Sequence, residues 1–250
     1  SDVSTTYTTQ TFGNTITLTW TSSDGACTGE TTAMNVEFNQ PATSTIDSYG
    51  MDTESWVWGG LTNDDWSEAS NWYAYTTDLN NNSYWERQTV NVPSANDKVY
   101  IMANSAAGQC VSSSNSVIVT SGASVNDIMV ANNATLNLSG ATSIKGDLTN
   151  DGTINAGSST LTFDGTSDQT VSGNVLTLDN MAVNKSSGDF IMTAPITVAG
   201  VLNMTAGNVL NTSDILTVGS SSGEGTLNHT SGIVTGKLRQ YFPNSTGSKF

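Results

Sequence analysis

The sequence predicts an all-β chain whose second half is a right-handed parallel β-helix, preceded by a small β-rich and Trp-rich N-terminal module. Three observations carry this. From about Val117 onward, runs of four to six residues rich in Val, Ile, Leu and Thr are each ended by Gly, Asn, Asp or Ser, the punctuation of short strands and turns. A degenerate unit, a β-branched or Leu pair followed by Asn, recurs as Thr135-Leu136-Asn137, Thr153-Ile154-Asn155, Val201-Leu202-Asn203 and Thr226-Leu227-Asn228. No stretch of this half has the period of a helix.

Residues 1–53 read as a β-strand module, part of a small sandwich or a cap. Alternation is visible in Thr15-Ile16-Thr17-Leu18-Thr19-Trp20 and in Met34-Asn35-Val36-Glu37-Phe38, with a turn at Ser23-Asp24-Gly25 between them. Residues 54–110 hold Trp56, Trp58, Trp66, Trp72 and Trp85, with Tyr73, Tyr75, Tyr84 and Tyr100. A solenoid needs a cap, because its end coil exposes apolar side chains and unpaired backbone, so this block is expected to close the helix. Residues 111–250 are the repeats, expected to continue past Phe250. The recurring units lie 18, 48 and 25 residues apart. These spacings read as coils of roughly 18 to 25 residues, with 48 taken as two coils. Asn suits such stacking, since its amide can hydrogen-bond along a ladder and its backbone tolerates left-handed conformations. One or two β-sandwiches are the competing all-β arrangement; short strands without two-residue hairpin turns favour the solenoid.

Composition excludes several function classes. Formal net charge is −15, from 22 acidic and 7 basic residues, so phosphate backbones are repelled and nucleic acid is not an expected partner. Arg87, Lys98, Lys145 and Lys185 are scattered singly, and Lys237 and Arg239 share one solvated strand face. Charged residues make up only 12% of the chain, leaving a surface hydrated mainly by hydroxyls and amides. No run approaches the ~20 apolar residues of a membrane span. Cys27 and Cys110 are the two cysteines, compatible with one disulfide in an oxidising compartment. In the chain-entropy model that bridge is worth about 4 kcal/mol.

The block beginning Thr160-Leu161-Thr162-Phe163-Asp164-Gly165, continuing through Leu178-Asp179-Asn180-Met181-Ala182-Val183-Asn184-Lys185 and Val201-Leu202-Asn203-Met204, resembles the β-helical surface proteins of Bacteroidetes-type bacteria. The Trp-rich block is similar to the segment that precedes such repeats, with its Asp-Trp, Asn-Trp, Val-Pro and Asp-x-Val-x-Ile elements. Lys237-Leu238-Arg239-Gln240-Tyr241-Phe242-Pro243 is similar to their closing strand. The resemblance covers about residues 56–250. It implies an extracellular or bacterial cell-surface protein, exported by the type IX secretion system and adhesin-like, although no C-terminal sorting domain is recognisable.

No catalytic residue stands out. His229 is the single histidine and reads as a strand-surface residue, so neither a nucleophilic triad nor a zinc site is expected. The repeat carboxylates, among them Asp147, Asp164, Asp168 and Asp189, sit beside turn residues and read as turn formers. Calcium is the only cofactor considered, at Asp64, Asp65 and Asp97 beside Asn63, since it favours clustered oxygens. The tryptophans Trp56, Trp58, Trp66, Trp72 and Trp85 form either the cap or a carbohydrate-stacking surface. The expected function is a non-enzymatic structural and adhesion protein, a stiff spacer displaying contacts to surface glycans or other surface proteins. A polysaccharide-binding or polysaccharide-degrading protein and a self-associating filament subunit are the alternatives.

Overall fold

The computed structural model describes residues 15–21, 31–37, 52–77, 79, 81, 83–102, 116–120 and 122–242. Near the N-terminus, β1 (Thr15–Thr21) and β2 (Thr31–Glu37) form a two-stranded antiparallel sheet, with Thr15 opposite Glu37 and Thr21 opposite Thr31. Both strands fall where the alternation places them. Cys27 and Cys110 lie outside the described residues, as does the Ser23-Asp24-Gly25 turn.

The remainder is a β-solenoid of about six turns with parallel strands. Each coil contributes to three faces. The first face stacks β7 (Ser116–Val119), β10 (Thr135–Leu138) and β13 (Thr153–Asn155). The second stacks β8 (Ala123–Val125), β11 (Thr142–Ile144) and β14 (Thr160–Phe163). The third stacks β9 (Asp127–Val130), β12 (Leu148–Asn150) and β15 (Gln169–Gly173). Later coils bend round their corners without losing extended backbone, so β16 (Leu176–Met192) and β17 (Ile196–Val218) each run through all three faces. β18 (Thr226–His229) and β19 (Val234–Gln240) complete the last described coil on β17. The only helical element among the described residues is a single 3-10 turn at Ala69–Asn71.

Register explains why so few charges suffice. On the second face Val125, Ile144, Phe163, Val183 and Met204 sit one above another, as do Leu161, Met181, Leu202 and Leu227. On the third, Val99, Ile128, Leu148, Val171 and Met192 do the same. All of these but Leu227 are buried, and the Phe163 and Phe190 rings, from different faces, meet at 4.6 Å across the core. No coil could bury its own apolar residues, so the stack forms cooperatively.

The recurring Asn units stack as the sequence suggests, but within two faces rather than one. Thr135-Leu136-Asn137 pairs in register with Thr153-Ile154-Asn155, and Asn155 Nδ2 donates to Asn137 Oδ1 at 2.9 Å. Val201-Leu202-Asn203 pairs with Thr226-Leu227-Asn228, and Asn228 Nδ2 donates to Asn203 Oδ1 at 2.8 Å. The offsets of 18 and 25 residues are therefore single coils. The 48-residue interval is two coils, Thr160 to Asn180 to Val201, plus the step from the first face at β13 to the second at β14. These asparagines lie within strands rather than at corners; the asparagines with left-handed backbone are Asn81 and Asn133, each with φ 65°, at turns.

The Trp-rich block joins the same sheet. β3 (Ser55–Trp58) pairs in parallel with β6 (Lys98–Ile101), and β6 with β9. β4 (Trp72–Thr77) and β5 (Ser83–Arg87) add antiparallel strands beyond β3. On the first face Asp65 bridges Ile118: the Ile118 N–H donates to Asp64 O at 2.7 Å and the Trp66 N–H to Ile118 O at 2.9 Å. The third-face sheet thus runs without a break from β5 to β19, across the boundary drawn at residue 110.

Candidate functional site: an acidic corner groove

All five candidate stacking tryptophans are buried. Trp58 and Trp72 are fully enclosed, Trp66 and Trp85 nearly so, and Trp56 retains 8% exposure. Trp72 sits edge-on to Trp58 at 4.9 Å and to Trp66 at 4.7 Å, and its Nε1 donates to Trp66 O at 2.8 Å. Trp56, Trp58, Trp66 and Trp72 continue the solenoid core, whereas Trp85 belongs to a second cluster with Val57, Tyr100 and Met129 on the outer side of the third face. Stacking on a sugar requires an open ring face, which these residues do not present; their packing is that of a cap.

The proposed calcium trio is likewise engaged elsewhere. Asp65 Oδ1 accepts from the Ser67 N–H and Oγ, both at 2.9 Å, and from Thr120 Oγ1 at 3.2 Å. The Ser67 amide bond holds its carboxyl below the usual range. Asp97 Oδ2 caps its own turn, accepting from the Ser94 N–H at 2.6 Å and Oγ at 2.7 Å. Asp64 contributes the backbone carbonyl that Ile118 uses. Among the described residues no three or more His, Cys, Asp or Glu converge as a metal site would require. His229, on the outer part of the last coil, pairs its Nε2 with Gly232 O at 2.8 Å.

The feature that draws functional groups together is a groove of about 440 Å³ at the corner between the second and third faces, bordered by Asn96, Asp127, Lys145, Asp147, Asp164 and Asp168. A smaller depression of about 130 Å³ continues from it over the outer third face, past Lys98, Tyr100, Met129 and Thr149. Asp127 and Asp147 border both. Together they make one polar cleft.

Its carboxylates are placed by a repeated device. Asp127 Oδ1 accepts the Asp147 N–H at 2.7 Å, Asp147 Oδ1 accepts the Thr170 N–H at 2.7 Å, and Asp168 Oδ1 accepts the Asp189 N–H at 2.8 Å. Each Asp thus satisfies an amide one coil further on, where the chain turns and the ladder cannot. Close approach of the coils depends on Gly146 and Gly165: a Cβ on Gly146 would lie 1.9 Å from Asp127 Oδ1, and one on Gly165 would lie 1.8 Å from Lys145 O. Burial pushes the Asp127 carboxyl above the usual carboxylate range, although it accepts the Asp147 amide. Lys145 pairs with Asp164 at 3.4 Å, and Asp164 Oδ1 also accepts from Ser143 Oγ at 2.6 Å.

Beneath the rim lies a group that sequence reasoning left among the scattered surface cations. Lys185 is 2% exposed. Its ammonium donates to Gly165 O at 3.0 Å, Ser167 O at 2.7 Å and Gln169 Oε1 at 2.8 Å. Gln169 Nε2 in turn donates to Ile144 O and Gly146 O, both at 2.8 Å, and its Oε1 also accepts the Gly165 N–H at 2.9 Å. Burial lowers the Lys185 pKa, opposed by Asp168, Asp164, Asp189 and Asp147 above it. The signal was present in the alternation Met181, Val183, Lys185, which puts the lysine on the inward side of its strand.

Comparison with protein-family models, curated proteins and solved structures finds no match to this chain. No described helix is long and apolar enough to cross a membrane. The class defined by fold and site is a Trp-capped parallel β-solenoid bearing an acidic corner groove.

Proposed function

We propose that the chain is a non-enzymatic extracellular or cell-surface protein, adhesin-like, in which the solenoid is a stiff spacer and the groove around Asp127 and Asp147 contacts surface glycans. The observation that carries this reading is the convergence of Asp127, Asp147, Asp164 and Asp168 with Lys145 and Asn96 around one open corner groove. A sugar presents a rim of hydroxyls, and carboxylates, an ammonium and an amide on one concave surface supply the acceptors and donors that bind them. Stacked parallel strands rise ~4.8 Å per coil, so the described coils project the groove on a rod of fixed geometry. The exported setting and type IX route rest on the sequence resemblance around Thr160 to Met204 and in the Trp block.

A second reading, a polysaccharide-degrading enzyme, is favoured by one observation. Asp127, held above the usual carboxylate range by burial, lies one coil from the exposed Asp147, and a coil spacing of ~4.8 Å is close to the ~5 Å between the carboxylates of retaining glycosidases.

Binding to neutral and acidic polysaccharides, with and without calcium, separates the two. The adhesin reading expects binding without turnover, weakened about tenfold or more (~1.4 kcal/mol) in Asp127→Asn/Asp147→Asn. Turnover by wild type that the double variant loses would replace that reading with the enzyme. Equal binding by both proteins would move the contact away from the groove.

A further inference from the structure

We propose that the corner groove selects amine-bearing glycans, sugars whose amino groups are unacetylated and positively charged, over their neutral and anionic counterparts. The inference rests on the reading of the groove as a glycan site and names the sugar class that site takes. It begins with the floor. The carbonyls of Gly146, Gly165 and Ser167 are already taken from below: Gln169 Nε2 donates to the first, and the Lys185 ammonium to the other two. The acceptors left to meet a ligand are therefore those of the carboxylate rim.

That rim is held in place with half of its acceptors unused. Asp127, Asp147 and Asp168 each spend Oδ1 on the amide of Asp147, Thr170 or Asp189. Their Oδ2 atoms accept no hydrogen bond from a described residue, and Asp147 and Asp168 are exposed. Asp127 and Asp147 stand on adjacent coils, ~4.8 Å apart along the axis. Because each carboxylate is already fixed by its amide, a ligand does not have to order it, which favours binding.

The nearby cations are committed elsewhere. Lys145 pairs with Asp164, Lys98 pairs with Asp52, and Lys185 is buried under the floor. Among the described residues no Lys or Arg lies within ion-pair distance of Asp127, Asp147 or Asp168. A ligand thus meets acceptor-only groups with an excess of negative charge. An ammonium has three donors and no acceptor, and its hydrogen bonds to a carboxylate are roughly twice as strong as those of a neutral hydroxyl. Sugars bearing carboxylates are repelled. The described carboxylates do not converge as a metal site would require, so an extended ligand with several ammonium groups matches the rim better than a single metal ion.

Calorimetric titration of the whole chain with glucosamine oligomers, with N-acetylated oligomers of the same length and with oligogalacturonate tests this, at a pH where the amino groups are protonated. The glucosamine oligomer is expected to bind at least about tenfold more tightly than the acetylated one, less tightly as salt is raised, and oligogalacturonate not at all. Asp147→Asn/Asp168→Asn should lose the preference; asparagine keeps the oxygen that accepts the coil amides, and circular dichroism checks the fold. Asp151→Asn/Glu86→Gln removes the same charge outside the groove lining and should keep it. Equal affinity for the two oligomers, weakened together in the groove variant, would leave the glycan reading standing and overturn the amine selectivity. A preference that survives in the groove variant, or falls equally in the distant one, would mean attraction to the net charge of −15 as a whole and overturns it too. Tighter binding of a lysine-rich peptide of the same charge would make the occupant a protein segment and likewise overturns it, and no binding of any oligomer overturns both the selectivity and the glycan reading.

Discussion

Lys185 Nζ donates to Gln169 Oε1 at 2.8 Å inside the corner between the second and third faces. Between them the two side chains satisfy four carbonyls, those of Ile144, Gly146, Gly165 and Ser167, and the Gly165 amide. Lys185→Met removes all three donors of the ammonium, and a buried acceptor left unsatisfied costs about 1–3 kcal/mol. We expect Lys185→Met and Gln169→Leu each to lower the unfolding free energy, read from urea denaturation, by about that amount or more. The double variant should lose less than the sum, because the two act as one network. Additive losses in a double-mutant cycle would show that they act separately.

Glycine positions at the groove and in the last described coil should respond in opposite ways. Gly165→Ala places a Cβ 1.8 Å from the Lys145 carbonyl and must force the coils apart; it is expected to be strongly destabilising. Nothing lies within 4 Å of a Cβ added at Gly223, so Gly223→Ala should be neutral or stabilising by about 0.4–1 kcal/mol through the unfolded chain. Thermal melts of the two variants beside wild type check both.

Two carboxylates should give pH dependences of opposite sign. The Asp127 carboxyl is raised by burial, so its favourable contribution is present below the unfolded pKa and is lost as pH rises through the folded value. Relative to wild type, Asp127→Asn should therefore gain stability between acidic and neutral pH. Asp52 is lowered, first by its hydrogen bond from Lys98; its contribution is present above the unfolded pKa and is lost as pH falls through the folded value. Asp52→Asn should lose stability over the same rise. The loss is held to roughly 1 kcal/mol or less because the ion pair is partly solvated. Urea midpoints across the acid range, read as differences from wild type, measure both signs.

The tryptophans are expected to matter for folding. Trp72→Ala removes a fully buried ring and the Nε1 bond to Trp66 O, a change of about 3–5 kcal/mol. Should Trp72→Phe keep most of the stability yet abolish glycan binding, the ring would have a role in the ligand site that its burial does not account for.

The fold was legible where its cause is local or repeats. Strand alternation located β1 and β2, and of the single series of Thr135, Thr153, Val201 and Thr226 units the first two and the last two stack in register on adjacent coils. Reading 48 residues as two coils missed a corner: the interval is two coils, Thr160 to Asn180 to Val201, plus the step from β13 to β14, because the same short pattern serves two faces and a one-dimensional period carries no face label. The Trp block was separable by composition, yet β3 and β6 continue the solenoid sheet. The groove was not legible, because Asp127 and Asp147 become neighbours only through the coil register. Asp147 reads as a turn carboxylate and Asp127 carries no signal of its own, yet each accepts an amide one coil on. The nearest signal to the buried lysine was its place in the inward alternation of β16.

The stacking of coils is the claim on which groove and cap both depend, and Thr149 and Ser172 test it most directly. They lie on adjacent rungs of the third face, in register, with hydroxyls 3.3 Å apart. Thr149→Cys/Ser172→Cys is expected to form a disulfide under mild oxidation, since neighbouring strands ~4.8 Å apart bring the Cα atoms within bridging range. Met129→Cys/Ser172→Cys, two rungs apart, should not bridge. Peptide mapping by mass spectrometry that finds the first bridge and not the second supports the parallel register; failure of the first, or ready formation of the second, would contradict it.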